Sequence, residues 1–250
     1  MIIRYIKKSP ILKSKLKTLL GLTSIVFAKI KLKKAVAKCK SWKEIINLAY
    51  TFQFIVYKKK FFRIGIFPLQ VKEELIEFLN VFIKQHPKII FECGTAHGGN
   101  LFLLTQFSDK DSTIISVDLP GGKFGGGYPS WKIPFYKSFA SNNQRIILIR
   151  EDSHKISTLE KVKEVLNNKK IDVAFIDGDH TYTGVKKDFE LYRHLIKPGG
   201  LIVFHDIVPH KNKNVGVPKF WQEILKEYEF KEIVKDWDQN WAGIGVLYIK

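Results

Sequence analysis

The stretch KIIFECGTAHGGN (residues 88–100) decides the fold of this chain. Its apolar first half predicts a buried β-strand, and its glycines let the chain turn sharply into a helix. Apolar runs and amphipathic segments then alternate along the chain. Strands are predicted at residues 88–93, 113–118, 145–150, 171–176 and 201–205, and helices near 98–107, 157–167, 181–196 and 217–228. This alternation predicts a doubly wound α/β fold with a mostly parallel sheet.

The two ends of this alternating region have patterns of their own. Before it, VKEELIEFLNVFIKQ (residues 71–85) has apolar residues at helical spacing, which predicts a helix with one buried face. After it, FKEIVKDWDQNWAGIGVLYIK (residues 230–250) contains two apolar segments joined by a polar loop without a helix. We therefore expect a C-terminal antiparallel hairpin that completes the sheet.

The positive charge of the chain is concentrated at one end. The 250 residues carry a net charge of +18, but residues 1–63 hold 17 Lys and Arg and a single acid, Glu44. Residues 64–250 hold 25 basic and 23 acidic residues and are nearly neutral. The sequence thus predicts a basic, helical N-terminal arm (1–63) attached to a main domain (64–250). A neutral main domain disfavours nucleic acid as a partner of its binding surface.

The basic arm mixes lysines with apolar runs at Leu19–Ala28 and Ile45–Tyr57. Both runs are too short to cross a bilayer. We expect helices that lie on an anionic membrane surface, with a helical cap over the substrate side or a dimerisation element as alternatives. A signal peptide cleaved near Ala28 is a further alternative. The two distant cysteines, Cys39 and Cys93, suggest reduced thiols, so we expect a cytoplasmic protein, peripheral at the inner membrane face.

Polar residues follow the predicted strands at five places, at the ends where parallel strands bind ligands. These places are residues 92–100, 118 onward, 151–154, 177–180 and 205–206. Their coincidence predicts one binding crevice along the carboxyl edge of the sheet. After its first strand, Gly94 is expected to let the chain turn sharply, and Gly98 and Gly99 to let the backbone approach a ligand at the helix start. A carboxylate at Asp118, about 20 residues later, suits the hydroxyls of a ribose.

A family resemblance rests on Glu92-x-Gly94-x-x-x-Gly98, Asp118, Asp152, Asp177 and the KPGG of residues 197–200. Over roughly residues 70–250, this series resembles the motifs of class I S-adenosylmethionine-dependent methyltransferases. The stretch from FIDGDHTY (residues 175–182) to FHD (residues 204–206) is similar to a subgroup with cephalosporin-hydroxylase-like proteins and macrolide-sugar O-methyltransferases. The resemblance implies a Rossmann-like, seven-stranded sheet and S-adenosylmethionine as cofactor.

The resemblance also implies roles for individual residues. Glu92, Gly94 and Gly98 would surround the methionine part of the cofactor, Asp118 its ribose, and Asp152 with Ser153 its adenine. The complete set of cofactor-binding residues expected is Glu92, Gly94, Thr95, Gly98, Asn100, Asp118, Asp152, Ser153 and Asp177.

Acidic residues end two strands that should be neighbours in the sheet. Asp177 and Asp206 are therefore expected to share a divalent metal ion, with Mg²⁺ preferred because it accepts a few carboxylates and keeps open positions. Related metal-dependent O-methyltransferases carry another carboxylate or amide beside the second aspartate. This chain has His205 and Ile207 there, so His205 is the candidate third ligand and tilts the site toward a transition metal. His180 is the candidate catalytic base, together with Asp177.

Residues 118–140 hold five glycines, three prolines and several aromatics, and they predict a lid, or else a loop fixed by its own aromatic cluster. Residues 210–214 form a second candidate loop over the site. The sequence predicts a metal-assisted O-methyltransferase acting on a hydroxyl of a sugar, glycolipid or related small molecule. An RNA methyltransferase, or a non-catalytic cofactor-binding protein anchored to a membrane surface, is the alternative. A homo-oligomer is left open.

Overall fold

A computed structural model of the chain describes residues 10–56, 62–122, 124 and 126–250. Residues 1–9 and 57–61 of the predicted arm, and residues 123 and 125 of the predicted lid, lie outside the described residues. The elements are, in order, α1 (Pro10–Lys38), α2 (Trp42–Thr51), β1 (Gln53–Val56), β2 (Phe62–Gly65), α3 (Lys72–Lys84), β3 (Ile89–Cys93), α4 (Gly99–Phe107), β4 (Thr113–Val117), α5 (Ile133–Lys137), β5 (Arg145–Ile149), α6 (Ile156–Leu166), β6 (Ile171–Ile176), α7 (Tyr182–Tyr192), β7 (Ile196–His205), α8 (Val217–Ile224), β8 (Glu229–Ile233) and β9 (Ile244–Tyr248).

Seven of the strands form one sheet in the order β5-β4-β3-β6-β7-β9-β8. The five strands from β5 to β7 are parallel, and β9 runs antiparallel to both β7 and β8. The doubly wound sheet and the C-terminal hairpin are thereby confirmed. Because the strand order reverses between β3 and β6, a crevice opens at the carboxyl ends of these two strands.

Helices cover both faces of the sheet, which explains why the central strands are apolar throughout. On one face, α3 and α4 bury Phe78, Phe82 and Phe102. On the other face, α7 and α8 bury Phe189 and Trp221. The largest difference from the predicted strands is β7, which begins at Ile196 and includes the KPGG segment. The register of its pairing with β6 shifts there, so these residues extend the strand irregularly.

The N-terminal segment packs against the main domain through one face of α1. Ile25, Ala28 and Leu32 are buried in the same apolar cluster as Phe52 and Phe135. A small hairpin of β1 and β2 follows α2. The predicted boundary between residues 63 and 64 falls within β2, and the division into two domains stays a prediction. Among the described helices, none is both long and apolar enough to cross a membrane.

Candidate active site

A cleft of about 580 Å³ lies at the carboxyl edge of the sheet. It is formed by the ends of β3, β4, β5, β6 and β7 and by the loops that follow them. The predicted site residues that line it are Gly94, Asp118, Asp152, Ser153, Asp177, His180, His205 and Asp206. The structure thus brings the candidate cofactor residues and the candidate base into one cavity.

Gly94 ends β3 in a conformation that favours glycine, with φ at 100°. A Cβ at this position would lie 2.1 Å from the carbonyl oxygen of Asp177, so only glycine lets the ends of β3 and β6 lie this close. The other two glycines of the loop differ from expectation. A Cβ on Gly98 would meet the Tyr136 ring at 2.7 Å, and one on Gly99 would meet the Pro68 nitrogen at 2.0 Å. The space that a side chain would need at these two glycines is therefore occupied by protein.

Glu92 lies beneath the glycine loop and is fully buried. Its Oε1 accepts a hydrogen bond from Asn100 Nδ2 at 3.1 Å, and its Oε2 lies 2.5 Å from the Ser116 hydroxyl. The Ser116 hydroxyl also lies 2.6 Å from Thr95 Oγ1. Burial raises the pKa of Glu92 to about 8. Glu92, Thr95 and Asn100 support the loop from below and do not line the cleft.

Asp118, at the end of β4, is held by two backbone amides. Its Oδ2 accepts a hydrogen bond from the Ala96 amide at 2.7 Å, and its Oδ1 accepts one from the Gly127 amide at 2.9 Å. Burial raises the pKa of this carboxyl. Asp118 therefore joins the glycine loop after β3 to the glycine-rich segment after β4.

Two histidines and two aspartates form a hydrogen-bonded network at the ends of β6 and β7. His180 Nδ1 lies 2.6 Å from Asp206 Oδ2, and His180 Nε2 lies 3.5 Å from Asp177 Oδ1. His205 Nδ1 lies 3.1 Å from Asp177 Oδ1 and 3.4 Å from Asp206 Oδ1. Each carboxylate therefore contacts both imidazole rings.

The network shifts the pKa values of His180, His205 and Asp206. Burial acts to lower the pKa of His205, but the carboxylates of Asp177 and Asp206 outweigh it and raise the pKa to about 9. The pKa of His180 is raised for the same reason, again against burial. Burial alone would raise the pKa of Asp206, yet the two imidazoles hold it well below its usual range. The network thus favours protons on its histidines and the ionised form of Asp206.

Two further contacts fix the aspartates. The Gln70 side chain donates from Nε2 to Asp177 Oδ2 at 2.7 Å, and the Ala242 amide donates to Asp206 Oδ1 at 2.9 Å. Asp206 has a φ of 65°, a strained backbone conformation for a residue with a side chain. Strain of this kind persists only where surrounding contacts hold it in place, and functional sites are where it is found most often.

A comparison with protein families matches residues 91–207 to the model described as Methyltransferase domain (Methyltransf_24). The match runs from the middle of β3 to just past Asp206, so it contains the glycine loop, Asp118 and the histidine–aspartate network. This stretch of the chain is therefore similar to a methyltransferase domain. Its sheet, with the antiparallel strand β9 between β7 and β8, is the architecture that the sequence resemblance implied.

Two curated proteins are similar to part of this chain. An uncharacterized protein of Acanthamoeba polyphaga mimivirus is 34% identical over 118 residues, which are 46% of this chain and 49% of that protein. An uncharacterized protein of Sinorhizobium fredii is 26% identical over 141 residues, 55% of this chain and 15% of that protein. The chain therefore spans less than half the length of these curated relatives.

Solved structures share the fold at low sequence identity. An O-methyltransferase from Bacillus cereus, solved in complex with SAH, is 16% identical with a TM-score of 0.51, and the match covers 92% of this chain and 90% of that one. A TDP-rhamnose 3'-O-methyltransferase of calicheamicin biosynthesis is also 16% identical, with a TM-score of 0.54 and coverage of 89% and 93%. These similarities show the fold of the methyltransferase domain.

The methyltransferase domain does not present the metal site predicted from the sequence. Among the described residues, no group of three or more His, Cys, Asp and Glu side chains is arranged to hold a metal ion. The physical reason is the position of His205, whose Nδ1 contacts both carboxylates that a cation would have to bridge. As arranged, Asp177, His205 and Asp206 do not fit a divalent ion. The Mg²⁺ cofactor stays a prediction.

The segment after β4 closes one side of the cleft. Phe124 stacks on the His180 ring, with 4.8 Å between centroids and 19° between planes. Further along, Phe135 and Tyr136 are buried in the core, and Tyr136 packs on Tyr128. The described residues from 128 to 139 therefore match the alternative interpretation, a segment fixed by its own aromatic cluster. Of the described residues that follow Asp118 in this segment, Leu119, Gly122, Phe124 and Gly126 line the cleft. In the second loop, His210 lines the cleft.

The sequence analysis missed several residues that shape the methyltransferase site. Gln70 and Leu69 precede the first helix of the domain and carried no motif. Asp188, fully buried in α7, lies 3.3 Å from His154 Nε2 and accepts a hydrogen bond from the Cys93 thiol at 3.5 Å. Asp188 had a detectable signal, because it occupies an apolar face of α7 at helical spacing from Val185. A carboxylate on such a face indicates a buried partner.

Proposed function

We propose that the protein is an S-adenosylmethionine-dependent O-methyltransferase that acts on a hydroxyl of a sugar, glycolipid or related small molecule. One observation carries the proposal: cofactor-type residues and a histidine–aspartate pair line the same 580 Å³ cleft. Gly94, Asp118 and Asp152 follow β3, β4 and β5, whereas His180 and Asp206 follow β6 and β7. A donor of methyl groups and an acceptor could therefore meet between them.

The cofactor side follows from the strand ends. Asp118 would bind the ribose hydroxyls, Asp152 and Ser153 would bind the adenine, and Gly94 would let the methionine part approach the backbone. In this structure, the carboxylate oxygens of Asp118 accept hydrogen bonds from the Ala96 and Gly127 amides. The same oxygens would accept hydrogen bonds from the ribose hydroxyls. When bound, S-adenosylmethionine supplies a methyl group on an electrophilic sulfonium sulfur. Solved relatives of the fold include an O-methyltransferase in complex with SAH, which supports this choice.

The acceptor side is built around His180. The Asp206 carboxylate, 2.6 Å from His180 Nδ1, holds the ring and keeps a proton on that nitrogen. In the neutral form of the ring, Nε2 is then the atom that can take the proton of an acceptor hydroxyl. With S-adenosylmethionine bound, transfer of its methyl group to the hydroxyl oxygen would yield a methyl ether and S-adenosylhomocysteine, and the hydroxyl proton would end on His180.

The partners in this proposal are a small-molecule or glycan acceptor and an anionic membrane surface contacted through residues 1–63. The strong positive charge of that segment supports the second partner. The proposed location is the cytoplasm, peripheral to the inner membrane face. A homo-oligomer stays a prediction.

Calorimetry with S-adenosylmethionine and S-adenosylhomocysteine, followed by transfer of a labelled methyl group to a panel of sugars and glycolipids, tests the proposal. We expect binding of both cofactor forms, and weaker binding by Asp152→Ala. Asp236→Ala, at an exposed position of the β8–β9 connection, is the control and should bind as the unmodified protein does. If correctly folded protein binds neither form of the cofactor, the proposal is wrong.

A requirement for a divalent ion is tested separately. Since the histidine–aspartate network leaves no suitable ligand set, we expect methyl transfer to survive treatment with EDTA. Loss of activity with EDTA and its return with Mg²⁺ would instead restore the metal-assisted form of the reaction.

A further inference from the structure

The outer face of α1 is apolar at one turn of the helix. Ile25, Ala28 and Leu32 point inward, and on the opposite side Val26, Phe27 and Ile30 are 57%, 63% and 48% exposed. Single exposed apolar residues are ordinary, but three large ones on a single helical turn form a patch. An exposed apolar patch of this kind marks a site of interaction with a partner or a membrane.

Lysines continue the same face toward the end of the helix. Residues spaced by three, four and seven positions share one face of a helix, so Lys33, Lys34 and Lys38 follow Val26, Phe27 and Ile30 on it. All three lysines are exposed. Every ion pair among the described residues lies beyond residue 72, so these charges are not neutralised by carboxylates of the described protein.

We infer that the α1 outer face (Val26, Phe27, Ile30, Lys33, Lys34 and Lys38) docks on the surface of a bilayer that contains anionic phospholipids. Apolar side chains can enter the acyl boundary while neighbouring lysines contact the head groups. A second copy of this chain fits less well, because its own α1 would bring lysines against lysines. RNA would match the lysines but would leave the apolar turn without a partner. The inference extends the proposed function by giving the proposed membrane contact a specific surface.

Flotation with vesicles tests the inference on the full chain. We expect binding to vesicles of phosphatidylcholine with phosphatidylserine, no binding to phosphatidylcholine alone, and release by high salt, since salt screens the attraction. The triple variant Lys33→Ala, Lys34→Ala, Lys38→Ala should bind on the order of a hundredfold more weakly. Phe27→Ser should also bind more weakly, because it removes the largest apolar side chain of the face.

Matched variants control for charge and exposure. Lys155→Ala, Lys169→Ala, Lys226→Ala removes the same charge from exposed positions elsewhere, and Ile156→Ser replaces an apolar residue with 62% exposure, close to the 63% of Phe27. These variants should bind like the unmodified protein.

Three outcomes overturn the inference: no binding to anionic vesicles, equal losses in the control variants, or a dimer that Phe27→Ser dissociates. Tight RNA binding that the α1 lysine variant abolishes, without vesicle binding, would assign the face to nucleic acid instead. Binding of S-adenosylhomocysteine, measured on the same samples, separates these outcomes from a failure of the proposed function.

Discussion

His180 is contacted by carboxylates on both edges of its ring, Asp206 at Nδ1 and Asp177 near Nε2. If it is the base, His180→Ala should lower kcat for methyl transfer by about 10²- to 10⁴-fold, the usual contribution of a positioned base. Affinity for S-adenosylhomocysteine, measured by calorimetry, should be retained because Gly94, Asp118 and Asp152 follow other strands of the sheet than His180 does. His194→Ala, exposed at the opposite end of α7, is the control. An unchanged kcat in His180→Ala would mean that His180 is not the base.

The buried carboxyl of Glu92 makes the free energy of unfolding depend on pH. Its pKa rises from 4.5 to about 8 on burial, so the folded protein keeps a proton that the unfolded chain loses. The free energy of unfolding should therefore fall as pH rises through this window and level off above it. Glu92→Gln keeps the shape and cannot ionise. Its stability relative to the unmodified protein should be greater at pH 9 than at pH 5.

Urea unfolding at the two pH values measures this difference. Glu164→Gln, an exposed residue of α6, serves as the control for the loss of a carboxylate. The interpretation is contradicted if Glu92→Gln and the control respond to pH in the same way.

At the scale of elements, the junction of β3 and β6 depends on one glycine. Gly94 and Gly199 both have positive φ, 100° and 76°, but a Cβ on Gly94 would lie 2.1 Å from a backbone oxygen while one on Gly199 would meet nothing within 4 Å. Gly199→Ala should therefore cost only the backbone strain. Gly94→Ala should cost about 1–3 kcal/mol more, since the strands must move apart. Urea unfolding compares the two variants, and equal losses would mean that the junction is not tightly packed.

The sequence predicted the elements well because hydrophobic periodicity and glycine positions act locally. The strand ends at Glu92, Asp118 and Asp177 were placed correctly, and with them the edge of the sheet where the cleft lies. What could not be predicted depends on contacts between distant segments. Pro68 fills the space beside Gly99, and Gln70 holds Asp177 across more than a hundred residues of chain. No local pattern records such contacts.

The metal site shows the same limit within the methyltransferase site. Asp177 and Asp206 do lie together, as neighbouring strand ends require. The sequence could not show that the His205 ring would sit between them, because side-chain orientation depends on packing around β7 and β9. The pattern of ligand types thus placed the two aspartates side by side, and binding of a divalent ion stays a prediction.

At the scale of the whole molecule, α1 is part of the main core through its inner face. Leu32 is 3% exposed and lies in the same cluster as residues of the sheet. Leu32→Ala should lower the free energy of unfolding by about 2–5 kcal/mol, as for other buried leucines. Ile30→Ala, 48% exposed on the other face, should change it by less than about 0.5 kcal/mol. Denaturant titration followed by tryptophan fluorescence measures both; equal effects would mean that α1 does not share the core.

The hydrogen bonds of Asp118 affect the order in which cofactor and acceptor bind. Its carboxylate accepts a hydrogen bond from the Gly127 amide. In the proposed function, the same carboxylate oxygens would accept hydrogen bonds from the ribose hydroxyls of the cofactor. Binding of the donor would then release the Gly127 amide from Asp118 and separate the neighbouring Phe124 from the His180 ring. We expect a compulsory order of addition, with the nucleoside first and the alcohol second.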